Sequence, residues 1–146
     1  MIDEVVRESR PCRFCSMPEA KVVASNALAL AIRDAFPVTP LHTLVIPFRH
    51  VTDYFGLTAA EREACAELVQ RLRDDILKQD PSVEGFNLGT NAGEVAGQTI
   101  FHCHLHLMPR RRGDIPDPRG GVRMVIPHKG NQQLDVCPFS QEAGRP

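Results

Sequence analysis

Three histidines at every second position, His102, His104 and His106, lie in the run Gly97-Gln98-Thr99-Ile100-Phe101-His102-Cys103-His104-Leu105-His106-Leu107-Met108. Such alternation matches the period of a β-strand. Side chains on a strand point to opposite faces in turn, so the three imidazoles share one face at intervals of ~6.8 Å. Cys103, Leu105 and Leu107 share the other face. The pattern predicts a strand that rests its apolar side on a core and lays a row of imidazoles along a cleft.

A core of that kind is within reach of the chain. Its 146 residues are 42% hydrophobic, which suits one compact domain. A formal net charge of −1 supplies no general basic field, so neither nucleic acid nor an anionic membrane is expected as the main partner. The acidic start, Met1 to Arg7, lacks the apolar stretch of a signal peptide. No apolar run approaches the ~20 residues that cross a bilayer, and a cytoplasmic location is the expectation. Five cysteines, an odd number, argue against a disulfide framework and leave metal ligation or burial.

Cys12-Arg13-Phe14-Cys15 spaces two thiols for a tight knuckle. Both sulfurs can reach one ion, and zinc would take two further Cys or His ligands from elsewhere. A redox dithiol is the rival, although that motif normally opens a helix, whereas Pro18 and strand-like sequence follow here. Lys21 to Ser25 and Ala27 to Arg33 read as a hairpin around Ser25-Asn26. Pro37 and Pro40 make residues 34–40 a rigid loop, which leads into a strand from His42 to Pro47. Thr58-Ala59-Ala60-Glu61 is a capping box, and Leu57, Ala64, Cys65, Leu68, Leu72 and Ile76 follow at helical spacing, predicting a helix over 58–78. On its other face Arg62, Glu63, Glu67, Arg71 and Asp74 read as solvated charges. A strand is expected over 86–91, a glycine-containing loop over 92–97, and then the histidine strand. Beyond Arg110 the chain is basic and turn-forming, with Met124-Val125-Ile126 as one more short strand.

A row of imidazoles permits two chemistries. Near neutral pH histidine is mostly neutral yet easily protonated, so such a row can supply a nucleophile, an orienting partner and a proton donor. Equally, two or three ring nitrogens with a water make a hydrolytic zinc site. Gly97 permits close backbone approach to a ligand, and Gln98, Thr99 and Asn91 can offer donors to phosphate oxygens.

The run from Asn91 to Arg110 resembles the histidine triad (HIT) family, whose motif is His-φ-His-φ-His-φ-φ with φ apolar. Pro40-Leu41-His42-Thr43-Leu44-Val45-Ile46-Pro47-Phe48-Arg49-His50 resembles that family's second block, and the likeness spans roughly Cys12 to Arg112. It implies an α+β fold: an antiparallel sheet of about five strands, one long helix, a short N-terminal helix or knuckle, and a symmetric homodimer. Residues 1–112 would form the HIT domain including the knuckle, with 113–146 an extension packed on it.

The implied activity is hydrolysis at the α-phosphate of a purine nucleotide: a nucleoside phosphoramidate, an adenylate or a dinucleoside polyphosphate. His104 matches the nucleophile that forms a transient nucleotidyl-histidine, with His106, His102 and His42 completing the catalytic cluster, and no catalytic metal is implied. Asp34 matches the ribose ligand, with Ile32 and Phe36 bordering the base. Asn91, Gly97, Gln98 and Thr99 would contact phosphate or leaving group. Some members of this type bind structural zinc through positions that correspond to Cys12, Cys15, His50 and His102. Asn91 resembles the phosphoramidase branch, whereas Met108-Pro109-Arg110 followed by Gly113-Asp114 resembles the dinucleoside polyphosphate hydrolases. The alternatives are a nucleotide-binding regulatory protein with little turnover and a zinc hydrolase that uses the triad as ligands.

Overall fold

A computed structural model describes residues 11–131. The acidic start read at Met1 to Arg7, and the part of the C-terminal extension beyond residue 131, lie outside the described residues. The chain divides into two compact units, Met1–Arg111 and Arg112–Pro146.

The first unit is built on five strands: β1 (Val22–Ser25), β2 (Ala29–Arg33), β3 (Thr43–Pro47), β4 (Val83–Gly89) and β5 (Leu105–Arg111). They form one antiparallel sheet in the order β1-β2-β3-β5-β4. The β1–β2 hairpin turns on Asn26, whose Oδ1 accepts from the Leu28 and Ala29 amides. Helix α1 (Ala59–Gln79) begins at the expected capping box. The Thr58 hydroxyl accepts from the Glu61 amide, and the Glu61 carboxylate accepts from the Thr58 amide, so two amides at the helix start are satisfied.

Alternation along the strands sorts the core into two clusters. Cys65, Leu68, Leu72 and Ile76 of α1 bury themselves against Ala29, Ala31, Val45, Cys103, Leu105 and Leu107. Leu30, Ile32, Leu44 and Ile46 face the other way and pack with Phe14 of the knuckle. The predicted division of the histidine run therefore holds for Cys103, Leu105 and Leu107. Burial pushes the thiols of Cys65 and Cys103 up to about 11 and about 12, so both stay protonated and behave as small apolar side chains.

Several expected boundaries shift. The histidine strand starts at Leu105 rather than near Gly97, and it runs on through Pro109 to Arg111. Upstream of Leu105, side chains take the carbonyls that a ladder would use: His104 Nδ1 bonds the His102 carbonyl, and Thr90 Oγ1 bonds that of His104. Pro109 is tolerated because β5 pairs with β3 only over Leu105 to Leu107, so its missing amide costs no ladder bond there. Strand β4 begins at Val83, opposite Arg111, three residues earlier than its apolar pattern suggested.

In the second unit the strand expected at Met124-Val125-Ile126 is replaced by a 3-10 turn, Gly121–Val125. Gly120 and Gly121 have positive φ, and the Arg123 guanidinium donates to the Gly130 carbonyl, which curls the segment back on itself. A Cβ at Gly120 would fall 2.4 Å from that same carbonyl oxygen, so the curl requires glycine.

Candidate active site and metal centre

The ring at position 104 is held by its own segment and by the N-terminal knuckle. The ring of His104 is buried, its Nδ1 lies 2.8 Å from the His102 carbonyl, and Phe14 packs edge-on against it with centroids 5.2 Å apart. A carbonyl only accepts, so the proton on His104 resides on Nδ1. Nε2 therefore carries the lone pair.

The neighbouring pair is fixed by the same logic. The Val38 amide donates to His42 Nδ1 at 3.1 Å, which makes that nitrogen an acceptor and puts the His42 proton on Nε2. Nε2 lies 2.9 Å from His106 Nδ1, which must accept, leaving the His106 proton on Nε2. His106 and His104 are adjacent, with ring centroids 5.1 Å apart. One ring thus offers a lone pair and its neighbour an N–H, each orientation held by a hydrogen bond on the far nitrogen. Burial above all, then the neighbouring His104 and His42 rings, pushes the His106 pKa down to about 4 against the opposing charge of Asp34. Burial likewise lowers that of His42, again opposed by Asp34.

Asp34 sits at the edge of this cluster, Oδ2 3.5 Å from His42 Nε2 and 3.9 Å from His106 Nδ1. Its Oδ1 accepts from the Phe36 amide, an Asx-type bond that starts the proline loop. Of the two apolar residues expected nearby, Phe36 is 82% exposed whereas Ile32 is buried in the sheet.

His102 faces the two cysteines instead. Its Nε2 donates to the Pro47 carbonyl at 2.8 Å, so the lone pair is on Nδ1, which faces Cys12 Sγ at 3.4 Å and Cys15 Sγ at 3.6 Å. His50 Nδ1 lies 3.2 Å from Cys15 Sγ. The ligand atoms of Cys12, Cys15, His50 and His102 all fall within 4.8 Å of one another. Two sulfurs and two imidazole nitrogens at that spacing can hold a tetrahedral metal ion, and the Pro47 bond supplies the outer-sphere support such a histidine needs. The four atoms would fill the ion's coordination sphere. His104, whose Nδ1 is already committed, belongs to neither of the two metal-capable clusters found among the described residues. The redox-dithiol rival fares less well, because each thiol has an imidazole nitrogen beside it and the pair opens no α-helix, a single 3-10 turn at Glu19–Lys21 leading straight into β1.

The remaining expected ligand contacts divide. Gly97 adopts a left-handed conformation with φ +89°, and the Asn91 amide nitrogen lies 4.0 Å from where a Cβ at Gly97 would stand. Gly97, Gln98 and Thr99 line a cleft of about 620 Å³ together with Cys12, Arg13 and His50. Thr99 is exposed there. Gln98 departs from expectation: only 3% exposed, its side-chain amide donates to the Thr52 and Ile100 carbonyls and its Oε1 accepts from the Gly93 amide. Its backbone N–H is bonded to the Gly93 carbonyl, so Gln98 staples the loop and has no donor left for phosphate.

Sequence reasoning passed over Phe14, Val38, Pro47 and Thr90. Of these only Phe14 left a trace, as an aromatic residue inside a C-x2-C knuckle. The rest act through backbone groups or a single hydroxyl, which carry no pattern.

Residues 17–113 match the family model of the HIT domain. The chain belongs to the HIT family. A HIT family protein from Bacillus anthracis has 39% sequence identity and a TM-score of 0.65, over 70% of this chain and 75% of that one. An uncharacterized HIT-like protein from Saccharolobus solfataricus is 32% identical over 136 residues, covering 90% of this chain and 94% of its own length. An AP-4-A phosphorylase from Mycobacterium tuberculosis is 34% identical over 97 residues, 66% of this chain but 49% of that longer protein. The α+β architecture, five antiparallel strands and one long helix, is the HIT fold. Among the described residues no helix of this HIT protein is long and apolar enough to cross a membrane.

Proposed function

We propose that this HIT protein is a nucleotide hydrolase acting at the α-phosphorus of a nucleoside phosphoramidate, an adenylate or a dinucleoside polyphosphate. The observation that carries the reading is the pair of opposed tautomers, a lone pair on His104 Nε2 beside an N–H on His106 Nε2. In the first step His104 Nε2 bonds to phosphorus, and the bond to the leaving group breaks with its electron pair departing on that group, which leaves as a phosphate or carboxylate anion or, from a phosphoramidate, as an amine that takes a proton from solvent. The neutral His106 N–H donates to a phosphoryl oxygen and offsets the charge that builds there. In the second step water attacks phosphorus and gives a proton to solvent, the N–P bond breaks with its electron pair returning to Nε2, and the nucleoside monophosphate leaves with His104 restored as the neutral Nδ1–H ring.

Asp34 would accept from the ribose hydroxyls, with the exposed Phe36 beside the base, and Asn91 and Thr99 would face the leaving group. The likeness to an AP-4-A phosphorylase favours dinucleoside polyphosphates within this range of substrates. Zinc would be held by Cys12, Cys15, His50 and His102 in a structural role, supported by the Cys2His2 donor set. A homodimer belongs to the same reading; among the described residues β4 pairs only with β5 and leaves an edge on which a second copy can build. A cytoplasmic location completes it.

The decisive comparison is wild type against His104→Asn on adenosine phosphoramidate and diadenosine polyphosphates, with product identified by chromatography. Wild type should release adenosine monophosphate and form an acid-labile adduct on His104 detectable by mass spectrometry. His104→Asn should bind nucleotide and release nothing. Unchanged turnover in the variant would overturn the reading. Nucleotide binding by wild type without turnover of either class would replace it with the regulatory one.

A further inference from the structure

The knuckle between Cys12 and Cys15 carries a residue aimed at the other centre. Phe14 is 7% exposed. Its ring meets His102 at a centroid distance of 5.9 Å and 80°, and His104 at 5.2 Å and 72°, both edge-to-face. The knuckle closes through the Cys15 amide, which donates to the Cys12 carbonyl at 3.2 Å, so the two thiols and the phenyl ring are parts of one tight turn. Leu30, Ile32, Leu44 and Ile46 pack with the ring in the apolar cluster on that face of the sheet.

Besides its contact with the His106 ring, His104 has two supports that come from the metal-capable cluster. Its Nδ1–H is held by the carbonyl of His102, itself one of the four ligand residues. Its flank is closed by Phe14, which lies in sequence between two more of them. One hydrogen bond restrains an imidazole weakly about χ2, because a ring flip exchanges carbon for nitrogen at little steric cost. A phenyl ring packed against the flank removes the space that rotation needs. Displacing a reacting atom by ~1 Å costs ~100-fold in rate, so a restraint of this kind matters more for turnover than for affinity.

Resting on the reading of His104 as nucleophile, we propose that Phe14 is a positioning residue that ties the Cys12/Cys15/His50/His102 cluster to the orientation of the His104 ring. Filling the cluster fixes the knuckle and seats Phe14. Emptying it loosens the turn, and the His104 ring loses its single orientation.

The test uses the full chain loaded with one equivalent of zinc, the same chain stripped of metal, and the zinc-loaded variants Phe14→Ala and Phe14→Leu. Ring nitrogen correlation NMR reports the His104 tautomer without any turnover. Zinc-loaded wild type should show the Nδ1–H form alone. Phe14→Ala and stripped wild type should both show a mixture. In Phe14→Ala, kcat should fall ~10–100-fold while KM and the affinity for adenosine monophosphate stay within ~3-fold, and Phe14→Leu should recover most of the loss. A single Nδ1–H tautomer with unchanged kcat in Phe14→Ala overturns the proposal. So does a fall in kcat matched by an equal fall in nucleotide affinity that Phe14→Leu does not relieve, since that pattern marks general loosening. If the tautomer responds as expected but no form of the protein turns over substrate, the positioning role stands and the hydrolase reading fails.

Discussion

His42 Nε2 lies 2.9 Å from His106 Nδ1, and the proton between them belongs to His42, because the Val38 amide occupies the other His42 nitrogen as a donor. Two rings more than sixty positions apart in sequence are thereby locked in one arrangement of protons. Which nitrogen of His106 carries its proton is decided by a backbone amide that bonds His42 and not His106.

Replacing His42 by Phe keeps a ring in the pocket and deletes the Nε2–H. His106 should then lose its fixed Nε2–H tautomer, visible in its ring nitrogen shifts. Turnover of the proposed substrates should drop on the order of 100-fold, the usual scale for a misdirected proton donor. Steady-state kinetics with adenosine phosphoramidate checks the second half of this expectation.

The His106 ring should resist protonation well below the ordinary range of histidine. Its folded pKa is pushed from 6.5 down to about 4, chiefly by burial. As pH falls between those values the unfolded chain takes up a proton that the native one refuses, so this contribution to stability is full above 6.5 and is lost on the way down to about 4. An NMR titration should find the His106 midpoint in the acid range. A midpoint near 6.5 would contradict the burial seen here.

The start of α1 should be sensitive to acid for a different reason. Arg49 donates to both carboxylate oxygens of Glu61 at 2.7 and 2.8 Å, and the Thr58 amide adds a third bond, so Glu61 falls from 4.5 to about 2. Stability from this carboxylate is present above 4.5 and disappears as pH drops toward 2. Thr58→Ala should cost about 1 kcal/mol in urea denaturation at pH 7. Glu61→Gln should flatten the acid limb of the stability profile.

Gln98→Ala separates a structural role from a ligand-binding one. Removing its side chain leaves the Thr52 and Ile100 carbonyls and the Gly93 amide without their present partner, at a cost of ~1–3 kcal/mol for a buried group. The unfolding midpoint should fall accordingly, while Thr99→Ala, at an exposed position, should change stability little. Equal stability of the two variants would argue that the Gln98 network is dispensable.

Much of this was legible in the chain. The capping box and the helical spacing from Leu57 to Ile76 located α1 to within a residue, since both signals are local and repeat along one element. Cys103, Leu105 and Leu107 went to the core for the same reason. Gln98 was misread because an amide in a glycine loop looks alike whether it faces ligand or backbone; only the positions of Thr52 and Ile100 distinguish the two. The strand at Met124 to Ile126 failed because three apolar residues satisfy a strand pattern too easily to outweigh the glycines on either side.

The sequence by itself determined that two thiols share a turn, that an amphipathic helix starts at a capping box, and that Cys103, Leu105 and Leu107 go to the core, all local signals of spacing and periodicity. The tertiary structure decided which nitrogen of each histidine carries its proton. His102 turns its lone pair to the cysteines because the Pro47 carbonyl takes its proton, His104 keeps a lone pair on Nε2 because the His102 carbonyl takes the other nitrogen, and His106 presents an N–H because His42 donates to it. Identical side chains acquire different tautomers through their hydrogen-bond partners, and no spacing along the chain can specify those.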